Sequence, residues 1–231
     1  MTKLKSGHIC AYQRRDARIP LLPEQSFHGT ISYIYMKRAN DGGLIMKKLA
    51  VFFPGIGYTV DKPLMHFSRK LAADAGFDVM LLPYAGFPPK VKGDREKMDE
   101  SYRIALAQSK EMLAGVDLSA YDEILFVGKS IGTVAAAEIA AQSPASDRIR
   151  FVLYTPLKST FDFPLGNSVV FTGTADPWVE GCSISELCLQ RDIPCHVIPD
   201  ANHSLETGDV LKDIENLGKI MKKTRKFIRH I

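Results

Sequence analysis

The sequence predicts an α/β fold, a mostly parallel central sheet with helices on both faces. Two observations carry that expectation. Apolar runs of four to six residues, suited to strands buried on both sides, alternate with longer amphipathic or alanine-rich stretches. One run, residues 124–127, leads through Gly128-Lys129-Ser130-Ile131-Gly132 into the alanine-rich residues 134–141, which reads as strand, sharp turn and helix. Strands separated by helices pair in parallel, because each crossover carries the chain back to the end where the previous strand began.

Taken in order, residues 1–28 are charged and irregular, with Arg14, Arg15 and Arg18 followed by Pro20 and Pro23. They are predicted to be a poorly ordered basic extension of a single domain covering 29–231. Ile31, Tyr33 and Tyr35 alternate with Ser32 and Ile34 before Asn40-Asp41-Gly42-Gly43, the pattern of a strand, a turn and a return strand. An alternative reading starts the compact core near Met46. Residues 49–53 form a buried-strand run that ends in Pro54-Gly55-Ile56-Gly57-Tyr58. A helix follows over 63–75, with Pro63 suited to its first turn. Residues 77–82 make the next strand and 83–93 a loop rich in Pro and Gly. Met98, Tyr102, Ala105, Leu106, Met112 and Leu113 set an amphipathic helix over 95–113. After the Ser130 unit come strands at 149–154, 169–172 and 195–198, a helix at 183–189, and a last helix from near Gly208.

The net charge of +4 is unevenly spread. Residues 1–48 carry nine Lys/Arg against three Asp/Glu, residues 49–211 carry 14 against 21, and residues 212–231 carry seven against two. The basic excess therefore belongs to the two ends, whereas a nucleic-acid site should be basic across a folded face, so no nucleic-acid partner is expected. No apolar run approaches the roughly 20 residues of a membrane span, and residues 1–20 contain no apolar leader core. Cys10, Cys182, Cys188 and Cys195 show no Cys-x-x-Cys spacing, which fits a reducing, cytoplasmic setting. No His-x-x-x-His or comparable ligand set supports a metal, and no cofactor is expected.

The chemistry concentrates at Ser130. A strained turn between strand and helix exposes its hydroxyl at the top of the sheet, and flanking glycines let neighbouring backbone approach closely. The amide of Ile131 opens a helix, where the dipole favours negative charge. Gly-Lys-Ser also invites a phosphate-binding loop, but that motif needs a glycine at position 123, which is Glu123. Serine needs a base, and the base needs an orienting group. In an open α/β sheet such groups lie beyond the carboxyl ends of strands. That places Asp176, in Gly173-Thr174-Ala175-Asp176, after one strand and His203, in Asn202-His203-Ser204, after the next. Asp200 is the competing acid. Ile56, ahead of Gly57, is the expected second oxyanion donor beside Ile131. A dinucleotide-binding reading of Gly55 and Gly57 fails because its third glycine is replaced by Val60.

With these pieces in the order Ser130, Asp176, His203, the chain resembles the α/β-hydrolase family over roughly residues 45–231. Pro54-Gly55-Ile56-Gly57 corresponds to the oxyanion loop, Gly128 to Gly132 to the elbow, and the Asp176 and His203 loops to the acid and the base. The resemblance implies an α/β-hydrolase fold and hydrolysis through an acyl-serine, without metal or organic cofactor. It also admits thioesterases, acyltransferases and non-catalytic binding proteins. Pro54 replaces a histidine that many lipases and esterases of the family carry there, and Lys129 is an unusual neighbour for the serine. Many relatives insert a helical cap where this chain has only residues 155–168, too few for several helices. The expected site is therefore open, with no large cap domain. Gly55, Gly57, Tyr58, Phe161, Phe163 and Trp178 are expected to line a shallow pocket for a small acyl substrate.

Overall fold

In the computed structural model, residues 34–35, 46–179 and 181–229 are described. The basic extension 1–28 and the expected return strand after Gly43 lie outside them. The described strands form one sheet in the order β1-β3-β2-β4-β5-β6-β7, with β1 at Ile34–Tyr35, β2 at Lys48–Phe53, β3 at Asp78–Leu81 and β4 at Glu123–Lys129. The remaining strands are β5 at Ile149–Tyr154, β6 at Ser168–Gly173 and β7 at Cys195–Ile198. All pairings are parallel except the first, in which Ile34 and Tyr35 face Met80 and Val79 across an antiparallel edge.

Each parallel strand sends alternate residues to opposite layers. Leu49, Val51, Phe53, Ile124 and Phe126 meet one set of helices, whereas Ala50, Phe52, Leu125 and Val127 meet the other. The first layer holds α2 (Arg95–Leu113), α3 (Ile131–Ala141) and α4 (Gly181–Leu189), and the second holds α1 (Pro63–Asp74) and α5 (Val210–Arg229). Burial on both faces explains why β2, β4 and β6 read as unbroken apolar runs. The second layer is also tied by hydroxyls. Tyr154 OH bridges Ser68 Oγ of α1 (2.8 Å) and Thr224 Oγ1 of α5 (2.7 Å), so these three buried hydroxyls satisfy one another.

Local chemistry sets the helix starts. Pro63 opens α1, and Asp94 caps α2 by accepting from the Lys97 amide at 3.1 Å. The last helix starts slightly later than Gly208. That glycine has φ of +90°, which is not helical, and Asp209 caps the helix by accepting from the Leu211 and Lys212 amides. Between β5 and β6 lies a short connection with one 3-10 turn, Lys158–Asp162, and no cap.

Candidate active site

At the end of β4 the chain turns sharply into α3. Ser130 occupies the turn with φ 53° and ψ −124°, a region that L residues seldom adopt, so surrounding packing must hold it there. The two motif glycines are required by close approach. A Cβ on Gly128 would lie 2.9 Å from Thr133 Cα, and one on Gly132 would lie 2.2 Å from the Phe53 carbonyl oxygen. Glycine at 132 therefore lets α3 sit directly on the end of β2.

Two loops bring the partners in. Asp176 follows β6, its side chain wholly buried, and His203 follows β7. His203 Nε2 is 2.7 Å from Ser130 Oγ, and Nδ1 is 2.8 Å from Asp176 Oδ2. A carboxylate only accepts, so this network assigns the proton to Nδ1 and leaves Nε2 to accept from the serine hydroxyl. Further contacts hold the arrangement: the Trp178 amide donates to Asp176 Oδ1 at 2.9 Å, and the Thr155 hydroxyl donates to the His203 carbonyl at 3.1 Å. The Trp178 ring leans on the imidazole, with centroids 5.6 Å apart. Asp200 takes no part. It points to solvent and pairs with Lys212 at 3.0 Å, while its amide binds Thr174.

The turn from Gly55 to Tyr58 closes through reciprocal backbone bonds, Gly55 N–H to Tyr58 O and Tyr58 N–H to Gly55 O. This consumes both terminal amides and leaves that of Ile56 without a backbone acceptor among the described residues, as is that of Ile131 at the first position of α3. A Cβ on Gly55 would come within 3.2 Å of Ser130 Cβ, so this turn lies against the serine.

The expected pocket residues divide. Phe163 lines a cavity of about 260 Å³ with Ile131, Val134, Leu157, Met98 and Tyr102. Gly55 and Gly57 border a smaller one of about 90 Å³ with Tyr84 and Phe87. Trp178 packs on His203. Tyr58 is buried, its hydroxyl accepting from the Leu64 amide at 3.2 Å, and it borders a separate apolar cavity between α1, α5 and the His203 loop. Phe161 corrects the sequence reading. The 3-10 turn rotates it into the core, where it is 3% exposed and lies beneath the Arg191 guanidinium, and it does not line the cavity of about 260 Å³ beside Ile131. Alternation of the two phenylalanines puts one inside and one at the cavity, a choice that composition alone leaves open.

One charged side chain lies beneath the site. Lys129 shares the strand face of Leu125 and Val127 and is 1% exposed. Burial lowers its pKa to about 7, against the opposing pull of Asp176 and Glu206. Burial also lowers the pKa of His203; the Asp176 hydrogen bond raises it, and the Lys129 charge lowers it further. Among the described residues no group of three His, Cys, Asp or Glu is arranged to hold a metal, and no helix is long and apolar enough to cross a membrane.

No family model and no curated protein matches the sequence. Solved structures do match. Est1E of Butyrivibrio proteoclasticus, solved with ferulic acid bound, aligns over 86% of this chain and 94% of its own, with a TM-score of 0.61 and 13% identity. A lidless α/β serine hydrolase of Xanthomonas campestris aligns over 90% and 97%, at 0.52 and 13%. An esterase of Pyrococcus furiosus aligns over 80% and 83%, at 0.55 and 12%. At such identities the likeness speaks to the fold.

Proposed function

We propose that this chain, which has the α/β-hydrolase fold, is a serine hydrolase that cleaves a small carboxylic ester through an acyl-enzyme intermediate. The observation that carries this reading is the imidazole of His203, 2.7 Å from the Ser130 hydroxyl on one side and 2.8 Å from the Asp176 carboxylate on the other. The esterase and lidless serine hydrolase among the structural neighbours favour the same class.

In this reading Ser130 Oγ attacks the ester carbonyl while His203 Nε2 takes its proton. The carbonyl oxygen gains the charge and is met by the amides of Ile56 and Ile131, which have no competing acceptor among the described residues. Asp176 holds the tautomer and stabilises the imidazolium. Collapse breaks the bond to the alcohol oxygen, which leaves with the proton from His203 and gives acyl-Ser130. Water, deprotonated by the same nitrogen, then releases the acid and restores the serine.

The test is hydrolysis of p-nitrophenyl acetate together with labelling by a fluorophosphonate. Ser130→Ala is expected to lose labelling and at least about a thousandfold in kcat, with its unfolding transition unchanged. Retained hydrolysis in that variant would overturn the proposal.

A further inference from the structure

We propose that Lys129 is a positioning residue: its buried ammonium, seated over the Tyr58 ring, clamps the oxyanion loop against the nucleophile turn while it carries a proton. The inference rests on the serine hydrolase reading above. Lys129 Nζ lies 4.9 Å from the centroid of the Tyr58 ring. Tyr58 closes the four-residue turn that carries the free Ile56 amide, and Lys129 is joined directly to Ser130. One cation–π contact therefore spans the two backbone segments that must converge on a developing oxyanion. The stem of Lys129 passes under the same loop, since a Cβ on Gly55 would lie 3.5 Å from Lys129 Cγ.

A lysine buried in a sheet is costly, and this one sits where an apolar residue would continue the pattern of Leu125 and Val127. Among the described residues it has no direct ion pair. Its charged neighbours act through space: Asp176 after β6, and Glu206 and His203 on the loop after β7. Tyr58 adds no charge, because burial raises its pKa well above the usual phenol range.

Two consequences follow from the charge. While Lys129 is protonated it opposes protonation of His203, which keeps the base neutral at lower pH. When it loses its proton, near pH 7, the ring contact loses its cation and the loop is released. Since Ile56 is expected to act on the oxyanion rather than on the bound ester, release lowers kcat more than it alters KM.

The experiment measures kcat and KM for p-nitrophenyl acetate between pH 5 and 9, in wild type, Lys129→Met and Glu206→Gln. Wild type should show a step down in kcat near pH 7. Lys129→Met should lose that step, lose about threefold or more in kcat at pH 6, and move the acid limb of kcat/KM upward by about half a unit. Glu206 is exposed, so its variant is expected to fold. Removing its charge weakens the field that favours the ammonium, so the step should move to lower pH. If Lys129→Met leaves the limb and the step in place, or if it fails to fold and Glu206→Gln leaves the step unmoved, the proposal is wrong. A substrate-free NMR titration of the His203 imidazole gives a readout independent of hydrolysis. A rise in Lys129→Met supports the electrostatic link even in a protein that turns over nothing, and no rise overturns it. Loss of labelling and turnover in wild type would instead count against the serine hydrolase reading.

Discussion

At the scale of single residues, the two strand-end aspartates have opposite surroundings. Asp176 is buried against His203, whereas Asp200 is exposed and paired with Lys212. Asp176→Asn should cost on the order of 10⁴ in kcat through the wrong imidazole tautomer, and Asp200→Asn should stay near wild type. Steady-state kinetics of the two variants checks this, and a larger loss from Asp200→Asn would reassign the acid. Lys129 has a stability consequence as well. Its folded pKa, about 7, lies below the ordinary lysine value of 10.5, so between these the unfolded chain binds the extra proton. Stability should therefore rise with pH across that window, and the full penalty should be present below about pH 7. Lys129→Met should unfold at higher temperature than wild type at pH 6, by an amount that shrinks as pH approaches 10. Equal shifts at both pH values would mean that packing, not charge, decides the difference. A stabilised but slower variant is the trade expected of a residue kept for function.

At the scale of elements, the same residue type has opposite meanings in two helices. Gly132 in α3 faces the backbone of β2, where a Cβ would come 2.2 Å from Phe53 O. Gly218 in α5 is exposed, with nothing within 4 Å of a Cβ. Gly132→Ala should destabilise by about 2 kcal/mol or more through overpacking, whereas Gly218→Ala should stabilise by about 0.5–1 kcal/mol through helix propensity. Thermal or denaturant unfolding of the pair separates the two effects. Gly132→Ala should also reduce turnover, because α3 carries the Ile131 amide.

At the scale of the whole molecule, the short link between β5 and β6 leaves the sheet end without a cap. Beside the elbow lies a cavity of about 260 Å³, below the roughly 300–1,000 Å³ that buries most of a drug-sized ligand. A long acyl chain would stay partly wet there and lose much of the ~0.8 kcal/mol per buried CH₂. Across a series of p-nitrophenyl esters, kcat/KM is expected to be highest at about two to six acyl carbons and then to flatten or fall. A steady rise to about twelve carbons would show that longer chains find an apolar wall, with the cavity bordered by Tyr58, Leu64, Val210 and Ile214 the candidate.

What the sequence determined by itself was whatever depends on local spacing. The strands and helices from residue 46 onward were legible because burial on both faces makes a strand a continuous apolar run and burial on one face gives a helix its period. The meeting of the Ser130, Asp176 and His203 side chains was legible because a parallel sheet collects its strand-end loops at one edge. Tertiary structure decided the rest. Phe161 and Phe163 have the same composition and neighbourhood, and only the 3-10 turn sends one to the core and the other to the cavity. Ile34 and Tyr35 read as a strand, but their partner, β3, lies more than 40 residues away in sequence, and such pairing leaves no local mark. Lys129 was visible as an odd neighbour for the serine. Its burial over Tyr58 depends on three loops converging at the sheet end, and the cost of burying a charge is set by that convergence rather than by the residues beside it.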